Sequence, residues 1–275
     1  MKEKTKPGRP GTAVVTGASS GIGAAFARRL AQSGYDLLLI ARRQDRLQAL
    51  AGELAARHGI EARAFRADLS DPGERAKLAE YLAGMEDIAL LINNAGFGAP
   101  GRFADLPQRT VSAMLAVHVT AAAELCRAVL PGMIARGRGA IVNVSSVASF
   151  LPVGGVAYVS SKAFLNSFSR TLAAELAGTG VTVQALCPGF TRTEFHSRPE
   201  YAGFKQAAVV PAWLWMSADR VAALSLAALG RGRVICVPGF GNRVLAFLAR
   251  RRLVAGLAWR VARKRMHEGA DLRPG

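Results

Sequence analysis

Tyr158-Val159-Ser160-Ser161-Lys162, with Ser145-Ser146 a short way upstream, are residue types at spacings that could move a proton. A phenol is a poor acid and a poor base near neutrality, its unperturbed pKa being about 10. A lysine four residues further on lies on the same helix face, and a nearby positive charge favours phenolate over phenol. A serine hydroxyl at a neighbouring strand end could then hold a substrate oxygen beside the phenol. Together the three would add a proton to, or remove one from, an alcohol or carbonyl oxygen. A Tyr-x-x-x-Lys pair also occurs on solvated helix faces, so its meaning depends on the elements that position it.

Those elements alternate strand and helix. Residues 12–16 read as a buried strand, Gly17-Ala18-Ser19-Ser20-Gly21-Ile22-Gly23 as a turn, and 24–32 as a helix. Strand, glycine turn and helix form the context of a dinucleotide fingerprint, in which glycines admit a pyrophosphate to the backbone and the helix start favours its charge. The second strand, 35–41, ends in Arg42-Arg43, with no acid before Asp45. At that place an acid holds the 2′-hydroxyl of NAD and an arginine a 2′-phosphate, so the sequence favours NADP. The plainer reading is that both arginines solvate a helix start.

Residues 44–58 read as an amphipathic helix and 60–67 as a third strand ended by Asp68-Leu69. Asp68 could accept from an adenine amino group, cap the helix beginning near Pro72, or do both. Residues 88–92 are almost purely apolar, as befits a parallel strand buried on both faces, and run into Asn93-Asn94-Ala95-Gly96. A long helix spans 107–136 with His118 near its middle. The fifth strand, 140–144, ends at Ser145-Ser146, and the helix holding Tyr158 and Lys162 runs to about 177. A sixth strand, 181–186, closes at Cys187-Pro188-Gly189; Ser217 caps a helix to 229, and 233–237 is the seventh strand. This alternation predicts an α/β fold, a doubly wound parallel sheet with helices on both faces. Each candidate residue then falls at a strand's carboxyl end or the helix start beside it.

In this combination the motifs resemble the short-chain dehydrogenase/reductase family over residues 12–240. Thr16 to Gly23 is similar to its cofactor turn and Asn93-Asn94-Ala95-Gly96 to its fourth-strand motif. Tyr158 and Lys162 match its Tyr-x-x-x-Lys, and Pro188-Gly189-Phe190-Thr191-Arg192-Thr193 its Pro-Gly segment. The resemblance implies a single Rossmann-type domain over 1–275, with strand order 3-2-1-4-5-6-7, and hydride transfer between a nicotinamide and a carbonyl or alcohol. Tyr158 would be the acid/base, Lys162 would lower its pKa and bind the nicotinamide ribose, and a serine would polarise the substrate oxygen. Cofactor contacts would come from Gly17, Ser19, Ser20, Gly21, Ile22 and Gly23, from Arg42, Arg43, Asp68 and Leu69, and from Asn94, Ala95 and Gly96. Tyr158, Lys162, Pro188, Gly189, Thr191 and Thr193 would supply the rest.

Two positions depart from the pattern. The interval back from the tyrosine points to Ser145 as the polarising serine, whereas the strand pattern Asn143-Val144-Ser145-Ser146 points to Ser146 and a shortened loop. A slipped register reverses every side chain while loops absorb deletions, which favours Ser146. His118 stands where the family usually has an asparagine whose main-chain carbonyl holds a relay water. The histidine could titrate within that relay or simply pack between helices.

Residues 190–216 correspond to the family's substrate lid and are rich in Phe, Trp, Tyr and Val, which suggests a lipophilic substrate. His196 and Arg198 could meet an anionic substrate group or face water. The chain's net charge of +17 sits in its ends: residues 1–10 carry four cations against Glu3, and 230–275 eleven against Glu268 and Asp271. The basic apolar extension 241–275 shows no clean helical stripe over 244–266; it could lie on an anionic membrane or pack on the domain or a partner. No nucleic-acid motif accompanies the charge, so no nucleic-acid partner is expected. Cys126, Cys187 and Cys236 lack metal-ligand spacing and read as buried hydrophobes of a reducing compartment. With no signal-peptide core and no apolar run near the roughly 20 residues of a span, the expected location is the cytoplasm, with the tail as a peripheral membrane contact. The resemblance implies a dimer or tetramer built through the helices near 107–136 and 156–177. Two function classes follow: an NADP(H)-dependent oxidoreductase of a lipophilic carbonyl or alcohol, or a dinucleotide sensor or scaffold without strong turnover, suggested by His118 and the shortened serine loop.

Overall fold

A computed structural model describes residues 10–151, 155–195 and 211–249. Its strands are β1 (Thr12–Thr16), β2 (Asp36–Ala41), β3 (Ala62–Arg66), β4 (Ile88–Asn93), β5 (Gly139–Val144) and β6 (Val181–Leu186). After a separate pair, β7 (Thr191–Arg192) with β8 (Met216–Ser217), comes β9 (Ile235–Cys236). The main sheet is parallel, in the order β3-β2-β1-β4-β5-β6-β9. That is the predicted doubly wound order, with β9 in the seventh place; the seventh strand is two residues long rather than five.

The helices are α1 (Gly21–Gln32), α2 (Gln44–His58), α3 (Pro72–Ala83), α4 (Gln108–Leu115), α5 (Ala121–Ala135), α6 (Val156–Glu175), α7 (Ala218–Leu229) and α8 (Phe240–Ala249). Strand periodicity decides which helices each residue meets. Ala13 and Val15 of β1, with Leu37 and Leu39 of β2, join the core formed by α1, α2 and α7. Val14, Leu38 and Ile40 face the opposite core, filled from α3, α5 and α6. Burying one such Leu, Val or Phe side chain contributes about 1.5–3 kcal/mol.

Four local expectations are revised. Helix α1 starts at Gly21 instead of residue 24, so the second half of the glycine turn is the helix's first turn. Asp71 caps α3, accepting from the Glu74 N–H at 2.7 Å, while Asp68 accepts instead from the N–H and hydroxyl of Ser70. The predicted helix at 107–136 is α4 and α5 joined by a π-helical turn, Ala116–Thr120, that contains His118. The stretch Gln108–Ala135 also has the length and hydropathy of a membrane span, against the expectation that none approached it; its inner face nevertheless belongs to the core, with Ala121, Leu125, Val129 and Met133 buried on the sheet. The three cysteines are buried, as expected.

The order reverses between β1 and β4. The chain winds outward from β1 to β3, returns to β4 and winds the other way. In open α/β sheets a ligand crevice forms outside the strand ends at such a reversal.

Candidate active site

Thr16, the last residue of β1, ties the two central strands together. Its hydroxyl donates to the Ile92 carbonyl at 3.3 Å and accepts from the N–H groups of Asn94 and Ala95 at 2.9 and 3.0 Å. The Asn94 side chain donates back to the carbonyls of Thr16 and Gly17 at 2.9 and 3.3 Å. Asn94 therefore fixes the start of the glycine turn from the end of β4. Asn93 points away, donating to Asn143 Oδ1 at 2.9 Å within the core.

The glycines are required by this close packing as well as by any ligand. Gly17 and Gly21 have φ of +65° and +57°, in the left-handed region that favours glycine. A Cβ on Gly23 would lie 2.4 Å from the Gly17 carbonyl oxygen and 2.6 Å from Asn94 Nδ2. Ile22 is half-buried, packed beside the α1 core. Ser20 precedes α1 without capping it through its side chain, and no acid sits in the first turn, so the free N–H groups there suit an anion. Thr193 lies over this turn, its side chain 3.2 Å from where a Cβ on Gly21 would be.

Arg42 and Arg43 flank the turn. Arg42 is mostly exposed, 3.9 Å from Asp68 Oδ2. Arg43 donates to Ser19 Oγ at 3.0 and 3.2 Å, to Ser20 Oγ at 2.8 Å and to Glu194 Oε2 at 2.9 Å. Partial burial works to raise the Asp68 pKa, but the Ser70 hydrogen bonds, with Arg42 and Arg66, keep it below the ordinary value. The Leu69 side chain is buried, and its carbonyl accepts from Arg75 at 3.0 Å.

Ser145 and Ser146 end β5 differently. Ser145 is buried, and its hydroxyl donates to the Lys162 carbonyl at 2.7 Å. Ser146 Oγ accepts from the Ala148 N–H at 3.1 Å and lies close enough to the Tyr158 phenol to act on its pKa. Since it accepts from the backbone, its own proton is free for an oxygen. Lys162 is buried and donates from Nζ to the Val144 carbonyl at 2.8 Å. Burial depresses its pKa from 10.5 to about 7, against a raising influence of Cys187. Burial also raises the Tyr158 pKa, opposed only by the nearby Ser146 side chain. The balance on the phenol thus runs opposite to the expectation from the four-residue spacing, because the lysine is turned to β5 and lies 5.8 Å from the phenol ring centroid.

His118 is buried between Phe97 and Tyr158, with edge-on ring contacts at 5.9 and 5.8 Å. Its Nε2 accepts from the Phe97 N–H at 3.1 Å. The proton therefore belongs on Nδ1, which donates to Ser161 Oγ at 2.8 Å, and Ser161 in turn donates to the Tyr158 carbonyl at 2.8 Å. Burial, together with the Lys162 charge, holds the His118 pKa well below 6.5. Of the two readings the packed, neutral histidine holds. Gly96 makes room for it: a Cβ there would meet His118 Nε2 at 2.9 Å.

Beyond β6, the Pro188 carbonyl accepts from the Val147 N–H at 2.9 Å and the Thr191 hydroxyl donates to the Gly189 carbonyl at 3.1 Å. The pair β7 and β8 brings together the two ends of the segment 190–216. Phe195 lies against Tyr158 at 6.0 Å between centroids. His196, Arg198 and the aromatic stretch to 210 lie outside the described residues. Sequence reasoning missed Thr16 as a contact, although a polar residue closing an apolar strand was a signal. It also missed Arg46 and Glu194, which carry no local signal.

A family model described as short chain dehydrogenase matches residues 11–200. A very-long-chain 3-oxoacyl-CoA reductase of Anas platyrhynchos is 37% identical over 205 residues, covering 71% of this chain but only 65% of that protein. Among solved structures, a short-chain dehydrogenase from Sphingobium yanoikuyae in complex with NADPH is 34% identical, with TM-score 0.78 over 96% of this chain and 97% of that one. A bulky-bulky ketone specific alcohol dehydrogenase from Comamonas testosteroni is 28% identical, with TM-score 0.73 over 96% of each chain.

Proposed function

This chain belongs to the short-chain dehydrogenase family, and we propose that it is an NADP(H)-dependent oxidoreductase that reduces a lipophilic carbonyl, with Tyr158 as the proton donor. The observation carrying the proposal is the gathering of Ser146, Tyr158 and Lys162 at the carboxyl end of β5, with Lys162 Nζ 5.8 Å from the phenol ring centroid and bonded to the Val144 carbonyl. A bound nicotinamide supplies the hydride. Ser146 directs its free O–H at the substrate oxygen, and the Tyr158 phenol, protonated at neutral pH because burial raises its pKa, gives that oxygen its proton. The phenolate left behind is favoured by positive charge on Lys162, whose Nζ lies 5.8 Å from the ring centroid, and a proton from solvent restores the phenol.

The residues fit a dinucleotide. Gly17, Gly21 and the uncapped start of α1 offer a pyrophosphate close backbone approach, while Asn94, Ala95 and Gly96 line the way to Lys162. Arg43, with Ser19, builds a seat for a 2′-phosphate, and Arg42 lies alongside. The NADPH named with the Sphingobium structure supports the same choice. Phe195 against Tyr158, and the acyl substrate in the name of the Anas relative, support a lipophilic substrate. Tyr158→Phe should cut turnover at least about 100-fold while NADPH still binds; undiminished turnover would sink the assignment. The sensor reading is not favoured, since His118 packs as a structural group and Ser146 lies near the Tyr158 phenol despite the short loop.

One specific observation favours peripheral membrane contact. Helix α8 buries Asn242, Ala246 and Ala249 and exposes Phe240, Val244, Phe247 and Leu248 on the opposite side. That is a cleaner stripe than the sequence window suggested, and Arg243 lies beside it. Residues 250–275, with their arginine clusters, lie outside the described residues. Vesicles containing phosphatidylserine should pellet the full chain, and Phe240→Ser with Phe247→Ser should abolish this; equal pelleting removes the reading. Exposed Leu115, Ile134 and Phe164 on α4, α5 and α6 support a homo-oligomer, which light scattering would measure; a monomer would refute it.

A further inference from the structure

Two arginines at the start of α2 converge on one carboxylate from far along the chain. Arg43 donates to Glu194 Oε2 at 2.9 Å and Arg46 to Glu194 Oε1 at 2.7 Å, so each oxygen has its own guanidinium. Arg43 is at the same time bound to Ser19 and Ser20 of the glycine turn. Glu194 directly follows Thr193, which lies over Gly21 of that turn. Hydrogen bonds from Arg43 and then Arg46 hold the Glu194 carboxyl below the ordinary carboxylate range, against a small opposing influence of burial. A carboxylate from the chain itself thus occupies one side of the anion seat that Arg43 forms with the two serines.

We propose that Glu194 is a built-in competitor for the 2′-phosphate of the dinucleotide. The incoming phosphate takes Arg43 from the carboxylate, so Glu194 sets how tightly the chain holds a 2′-phosphorylated dinucleotide and how strongly it prefers one over the 2′-hydroxyl form. This rests on the reading of Arg43 as the phosphate's partner. Without the carboxylate, Arg43 is uncommitted toward this side and Arg46 is released to add a second guanidinium. Like-charge repulsion between the carboxylate and the phosphate adds to the competition. Because Arg43 and Glu194 are both well exposed, solvent screens the pair and keeps the effect modest.

Glu194→Gln keeps the side chain's shape and removes its charge. In fluorescence and calorimetric titrations of the full chain, the variant should bind NADPH and 2′,5′-ADP about three- to tenfold more tightly, with NADH and 5′-AMP changed less than about twofold. Unchanged binding of 2′,5′-ADP, or equal tightening of 5′-AMP, overturns the proposal. Arg43→Ala separates the two readings. If it weakens NADPH but Glu194→Gln gains nothing, only the competition fails; if it leaves NADPH affinity intact, the phosphate seat itself fails and the competition with it.

Discussion

The Nζ of Lys162 donates to the main-chain carbonyl of Val144 at 2.8 Å, which anchors a buried amine to the last residue of β5. The amine is therefore held beside the strand end from which Ser145 and Ser146 continue. Its position depends on the sheet as much as on α6.

A pH signature follows from that burial. The folded pKa of Lys162 is about 7 against 10.5 in an unfolded chain. Between these values the unfolded state binds more protons, so this group makes stability rise with pH. Its penalty is absent above the unfolded pKa, grows as pH falls, and is complete below the folded pKa. Lys162→Met removes the titration. The melting temperature of the variant minus that of the unchanged protein should increase as pH falls from about 10 to about 7 and then level off. Scanning calorimetry across that range checks it; a difference independent of pH refutes it.

The two serines separate function from structure. Ser146→Ala removes the hydroxyl that would hold the substrate oxygen, and kcat should fall about 10²–10³-fold with little change in melting temperature. Ser145→Ala removes a buried hydroxyl from the Lys162 carbonyl and should cost about 1 kcal/mol of stability with a much smaller loss of turnover. Paired denaturant titrations and steady-state kinetics measure both. The reverse pattern would transfer the catalytic role to Ser145.

His118 gives a second titration. Its folded pKa lies well below 6.5, so as pH falls through the unfolded value the unfolded chain takes up a proton that the folded chain does not. Stability from this group is present above 6.5 and is lost below it. The His118 imidazole resonance should show no titration midpoint near 6.5, and His118→Asn should lose less stability on acidification than the unchanged chain. A midpoint near the ordinary histidine value would contradict the neutral, packed assignment.

The sequence showed most where one element's own pattern sufficed. Continuous apolar runs at β1 and β4 and the order of the motifs were enough for the doubly wound sheet. Asp71-Pro72 followed by Glu74 also carried a legible cap signal, since proline favours the first helical position, yet Asp68 drew attention because it ends a strand. Other features depend on distant partners. The start of α1 at Gly21 depends on Gly17 and Asn94, the neutrality of His118 on Phe97 and Ser161, and the Arg43–Glu194 pair joins residues 151 positions apart. Neither local propensity nor periodicity encodes such contacts.

Two glycines test whether close packing, and not helix propensity, dictates the cofactor turn. A methyl group on Gly23 would lie 2.4 Å from the Gly17 carbonyl oxygen and 2.6 Å from Asn94 Nδ2. Both neighbours are fixed, one by backbone and the other by its bonds to β1, so the turn must open. Gly23→Ala should cost about 1–3 kcal/mol and weaken NADPH binding at least about tenfold, because the same displacement moves the N–H groups that would hold a pyrophosphate. Gly52 lies exposed within α2 with nothing within 4 Å of its added Cβ. There the same substitution should stabilise by about 0.5–1 kcal/mol through lower unfolded-state entropy and better helix propensity, with NADPH affinity unchanged. Thermal melts and NADPH titrations of the two variants should move in opposite directions and on different axes. Equal behaviour would mean that Gly23 is there for the helix and not for the turn.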